Sequence, residues 1–112
     1  MSKFTVYQIN FTDEQENEIN TSESRPAFYL TYLDTIMSPT DEAIAAARDM
    51  YKKVAVIEAD SFDGVFQVGN IGPEQNIERL APMHSLSVGD IIVADAGEAV
   101  YVAPYGFNPI TL

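Results

Sequence analysis

The residues that could move a proton or attack a carbonyl are few. His84 is the single histidine, and Ser85 and Ser87 lie beside it. An imidazole near hydroxyls suggests a Ser-His-acid relay, but that chemistry needs three groups converging in space, which close sequence neighbours do not supply. No Gly-x-Ser-x-Gly elbow is present to present a serine nucleophile. Cysteine is absent, which removes thiolate nucleophiles, thiolate metal sites and disulfides. One imidazole cannot complete a zinc set. Asp60-x-x-Asp63-Gly64 opens like a calcium loop, yet the alternating acids and the closing Glu do not follow. Gly64, Gly69 and Gly72 match neither Gly-x-Gly-x-x-Gly nor a phosphate loop, and no Lys-Ser/Thr follows them. Any two of the 17 acids could flank a glycosidic bond, but a chain of this length has little room for a deep cleft beside its core. The sequence therefore predicts no catalytic residue, no cofactor and no bound metal, with His84 serving to bond backbone near a strand.

Surface and charge remain. The 112 residues carry 17 Asp and Glu against 6 Lys and Arg, a balance of -11. Asp13, Glu14, Glu16, Glu18 and Glu23 fall in one stretch with no base among them, and no Lys or Arg follows Arg79. Direct binding to nucleic-acid phosphates needs the opposite sign, and an anionic membrane would repel this chain. A basic protein surface would attract it. The opening Met1-Ser2-Lys3-Phe4 lacks the build of a signal peptide. No apolar run approaches the roughly 18 residues of a membrane span. The expectation is a cytoplasmic protein.

The elements that would carry these residues follow from pattern. The length suits one domain with one core. Lys3 to Phe11 reads as a strand apolar on both faces. Thr12 and Gln15 form a T-x-x-Q capping box, and the acids after Thr12 suit the positive end of a helix dipole, predicting a short exposed helix or loop. Ala27 to Leu33 alternates loosely and predicts a strand, with a helical start as the alternative. Ser38-Pro39-Thr40-Asp41 starts a helix predicted over 39–53, with Ile44, Ala47, Tyr51 and Val54 on one face and Asp49 paired to Lys53. Val54 to Ala59 predicts a buried strand, and Ser61 to Val68 a helix that Gly69 ends. Residues 70–82 predict a long loop with at most one helical turn. The 90–94 and 99–103 segments flank a tight turn, and 107–112 adds an edge strand on which Pro109 is tolerated. The fold class is α+β: a small single domain with a mixed or antiparallel sheet, two main helices and a C-terminal β-meander.

Residues 84–93, His-Ser-Leu-Ser-Val-Gly-Asp-Ile-Ile-Val, followed by Tyr101-Val102-Ala103-Pro104-Tyr105-Gly106-Phe107, resemble the closing signature of the YodL-like domain. That signature is roughly H-S-L/M-S-x-x-D-x-x-V, then Y-x-x-D-S-x-G-F. Val6-Tyr7-Gln8-Ile9 is similar to the family's V-Y-Q-L start, and residues 61–70 to its helix before the signature. Residues 12–50 do not match. Ala103-Pro104 stands where the family carries an acid and a small polar residue, so no role of that acid transfers. Physically the signature reads as architecture: His84, Ser85 and Ser87 bonding backbone, Asp90 holding a turn, Gly106 allowing a bend beside Phe107. The resemblance implies a phage or conjugative element among genes that manage the host, and no particular reaction.

The function expected is therefore a non-catalytic interaction protein that binds a host protein with a basic surface. Asp13, Glu14, Glu16, Glu18 and Glu23 would supply rate and specificity, and Tyr29, Tyr32 and Tyr105 would supply contact energy. Three alternatives differ in kind. A nucleic-acid mimic would present carboxylates to a DNA- or RNA-binding enzyme. An enzyme would depend on His84. A minor virion component would be found in particles.

Overall fold

Alternation along the opening segment sends Phe4 and Val6 to one side and Tyr7 and Ile9 to the other, which makes it a strand that can be covered on both faces. In the computed structural model, which describes residues 2–21 and 25–111, this strand lies inside the sheet. The elements are β1 (Ser2–Ile9), α1 (Asp13–Thr21), α2 (Ala27–Met37), α3 (Asp41–Ala46), β2 (Tyr51–Ala59), α4 (Phe62–Asn70), β3 (Ile77–Arg79), β4 (Ile91–Ala94), β5 (Ala99–Val102) and β6 (Phe107–Pro109). The strands form one six-stranded sheet in the order β3-β2-β1-β4-β5-β6, and every pairing is antiparallel. The class is α+β, as expected, with four α-helices among the described residues rather than two main ones.

The core lies on both faces of the sheet. On one, Val65 and Val68 of α4 pack with Phe4, Val6, Ala55, Ile57, Ile92, Val100 and Val102. Each of the largest side chains buried there contributes about 1.5–3 kcal/mol. Gly69 sits under Leu86: a Cβ at that position would lie 2.5 Å from the Leu86 Cδ1. On the other face, Ile44 of α3 packs with Ile91, Tyr101 and Ala103.

Several elements differ from the sequence expectations, each for a long-range reason. Residues 27–37 are helix, not strand: Phe28, Tyr32 and Thr35 recur at helical spacing and face inward, which loose alternation had obscured. The helix predicted over 39–53 stops at Ala46; a single 3-10 turn, Arg48–Met50, follows, and Tyr51 already belongs to β2. Its N-cap is Thr40, whose hydroxyl accepts from the Ala43 amide. Tyr51, Lys52 and Lys53 pair with Ile9, Gln8 and Tyr7, and a bulge at Val54 restores alternation before Ala55. Lys53 therefore leaves the Asp49 pair, and the ion pair found among the described residues is Arg79–Glu74. Gly69 lies within α4, and the chain turns at Gly72 instead. The 70–82 segment contains the 3-10 turn Glu74–Asn76 and then β3, which extends the sheet beyond β2. The C-terminal meander forms as expected, with Pro109 on the outer strand.

Candidate partner-binding surface

α1 begins where its caps place it. The Thr12 hydroxyl accepts from the Gln15 amide at 3.1 Å, and the Gln15 side chain accepts from the Thr12 amide at 2.9 Å. Asp13, Glu14 and Glu16 occupy the first turn, Glu18 follows, and all four are exposed. The helix buries no residue and carries no base in its last turn. Glu23 lies outside the described residues.

Phe11 fastens this helix to its neighbour. Its ring packs 4.9 Å from Tyr32, 5.6 Å from Phe28 and 6.2 Å from Tyr29, while Tyr29 and Tyr32 lie 5.9 Å apart. The Arg25 guanidinium sits 5.5 Å over the Tyr29 ring. Asp13 and Glu14 follow Phe11 by two and three residues, which ties the acidic first turn to this aromatic cluster along the chain. Tyr29 and Tyr32 are thus half-buried members of a packed cluster rather than free surface aromatics. Burial, and after it Tyr29 and Asp90, raise the Tyr32 phenol above its usual range. Tyr105 is 96% exposed on the β5–β6 turn and joins none of these rings. It occupies the same end of the sheet, since β5 ends where β1 ends.

Beneath the cluster lies a polar network that sequence reasoning missed. Gln8 is fully buried. Its amide donates to the His84 carbonyl at 2.9 Å and to Asp90 Oδ2 at 3.0 Å, and its oxygen accepts from the His84 amide at 3.2 Å. Asp90 Oδ2 also accepts from the Ser87 amide at 3.0 Å. The one available signal was a polar residue at the inward parity of an apolar strand, after Phe4 and Val6. The Tyr51 hydroxyl donates to the Gly89 carbonyl. Burial raises the Tyr51 phenol, and the nearby Asp90 raises it further. The architectural reading of the His84–Asp90 segment fits this geometry: Asp90 closes the turn, and His84 bonds through its backbone. The exposed His84 ring pairs its Nδ1 with the Ser85 carbonyl at 2.8 Å, while Asp90 takes its hydrogen bonds from the Gln8 and Ser87 amides.

Burial pushes the Asp90 carboxyl up from 3.8 to about 6, opposed by the Ser87 amide, Gln8 and His84. The folded protein therefore holds this proton more tightly than the unfolded chain. From this group, stability is highest below about pH 4, falls between about 4 and 6, and is level above. Asp90→Asn removes that slope. Relative to the parent, the variant should gain about 2–3 kcal/mol between pH 4 and pH 7, measured by urea unfolding across that range. Parallel pH profiles would count against a buried, late-titrating Asp90.

Open concavities flank these elements. One of about 520 Å³ lies between α4 and the β5–β6 turn, lined by Phe66, Ile71, Pro104 and Phe107 with Asp63. A second, of about 280 Å³, lies beneath α3 and is lined by Tyr7, Ile44, Tyr51 and Ile91, with Arg48. Among the described residues no group of three or more His, Asp or Glu is placed to hold a metal ion, and no helix is long and apolar enough to cross a membrane. No protein-family model matches the chain, and neither does any curated protein or solved structure.

Proposed function

We propose that the protein is a non-catalytic binding factor that sets its acidic α1–α2 end against a basic surface of a host protein and alters that protein's activity. It acts in the cytoplasm of a cell that carries the phage or mobile element implied by the YodL-like resemblance. The observation that carries this reading is α1 itself: a capped helix that adds nothing to the core yet holds four exposed acids beside an aromatic cluster. A surface of that sign speeds encounter with a basic partner and suppresses acidic ones.

Neutralising the helix tests it. Asp13→Asn, Glu14→Gln, Glu16→Gln and Glu18→Gln together leave the capping box and the core untouched. At about 0.5 kcal/mol per rim charge, the combined variant should hold its partner about 30-fold less tightly. Tagged parent and variant, both shown folded by circular dichroism, would be compared for capture from host lysate at low and physiological salt. A folded parent that captures nothing above background sinks the proposal, as does a variant that captures the same protein undiminished. A partner displaced by duplex DNA would mark mimicry of nucleic acid.

A further inference from the structure

α2 has the composition of a buried helix and the exposure of a surface one. Phe28, Tyr29, Leu30, Tyr32, Leu33, Ile36 and Met37 make it apolar around most of its circumference, a pattern that belongs inside a protein. Yet Thr35 is the one residue of the helix that is buried. The inward side, Phe28, Tyr32 and Thr35, rests on Phe11 and on the turn at Gly89. The outward side presents Leu30, 50% exposed, and Met37, 77% exposed, with Leu33 half-buried between them. Leu30, Leu33 and Met37 stand at i, i+3 and i+7, the narrow seam along which two helices interlock. Asp34, exposed beside that seam, is the helix's single charge.

We infer that the outer side of α2 is the seat of a basic amphipathic helix of the partner, with Leu30, Leu33 and Met37 as the apolar seam and Asp34 with the α1 acids holding its Lys and Arg. Charge selects this occupant over a second copy of the chain. Asp34 is exposed beside the seam, and the stretch of chain on either side of it is acidic: Asp13, Glu14, Glu16, Glu18, Asp41 and Glu42 stand against Arg25 as the one base among residues 12–47. An antiparallel pair of α2 helices would bring Asp34 of one copy toward Asp34 of the other, each with its own acidic flank, whereas lysines at the flanking positions of a foreign helix would be paired. The inference deepens the binding reading above and rests on it.

The probe is a fluorescein-labelled synthetic peptide of about 14 residues, roughly 20 Å of helix, with Leu at the seam positions and Lys elsewhere. A scrambled peptide of identical composition is its control. By fluorescence anisotropy at physiological salt, the patterned peptide should bind at least about tenfold more tightly than the scrambled one. Leu30→Ser with Met37→Ser should abolish that preference while leaving the melting temperature within a few degrees, since both side chains face solvent. Equal binding of both peptides, or an unchanged preference in the double variant, overturns the inference. So does a dimer in light scattering that the double variant dissolves, or adsorption to zwitterionic vesicles in place of peptide binding. If the seam variants leave lysate capture intact while the acid-neutralised variant loses it, this inference falls and the acidic-surface reading stands. Loss of neither removes both.

Discussion

Replacing Gln8 by Ala should lower the stability of the fold by about 3–4 kcal/mol, seen as a fall of roughly 15 °C or more in the thermal midpoint. The size follows from what loses its partner. Gln8 makes three hydrogen bonds from a fully buried position: two hold the His84 backbone, and one meets Asp90 Oδ2. Truncation leaves the His84 amide and carbonyl without that partner, removes one of the two donors to a buried carboxylate, and opens a void beside β1. Domains of this size are stable by only about 5–15 kcal/mol, so the variant should be partly unfolded at warm temperature. The loss should shrink as pH falls through about 6, because protonating Asp90 removes the charge that Gln8 helps to solvate. Differential scanning calorimetry at two pH values checks both parts. A fall of less than about 5 °C at neutral pH would mean that water reproduces these bonds and that Gln8 is not what ties the 82–90 segment to the sheet.

Gly89→Ala should be nearly as damaging, and Gly97→Ala far less so. Both glycines hold positive φ, +94° and +100°, so each substitution meets the same backbone strain of about 1–2 kcal/mol. Their surroundings differ. A Cβ at Gly97 has nothing within 4 Å, whereas one at Gly89 would lie 2.6 Å from the Thr35 carbonyl oxygen and 3.1 Å from its carbon. That obstacle is helix backbone and cannot rotate aside. Gly89→Ala must push α2 away from this turn or twist the turn that Tyr51 and Asp90 hold. We expect a loss of about 3 kcal/mol or more against about 1–2 for Gly97→Ala, measured by urea unfolding of both variants. Because α2 carries the proposed seam, Gly89→Ala should also weaken the patterned peptide, while Gly97→Ala leaves it bound. Equal losses for the two glycines would show that Thr35 can retreat freely and that α2 is not seated on this turn.

These two residues mark where sequence reading runs out. Nothing local marks out Gln8 or Gly89, because their partners are distant. Gln8 meets His84 and Asp90, which lie 76 and 82 residues away. The capping box at Thr12–Gln15 was legible because its donors and acceptors are three residues apart. The candidate surface was half legible. The acids of α1 stand exposed where the sequence puts them, but nothing in the sequence shows that Tyr29 and Tyr32 pack against the Phe11 ring. Tyr105 is exposed and joins none of the cluster's rings.

Short-range physics settled the opening strand, the cap of α1, the C-terminal meander with its turn, the strongly acidic balance and the α+β class, since each depends on neighbours within a few residues or on composition alone. Long-range pairing settled the rest. A helical period over Ile44, Ala47, Tyr51 and Val54 was cut at Ala46 because β1 offered Tyr51 onward a ladder of hydrogen bonds. Residues 27–37 became helix because Phe11 and the close approach at Gly89 reward an inward side with helical spacing. Local propensity differs between helix and strand by about 1 kcal/mol per residue or less, and burial of a single large side chain outweighs it. Tertiary contacts therefore decided every segment whose local signals were close to balanced.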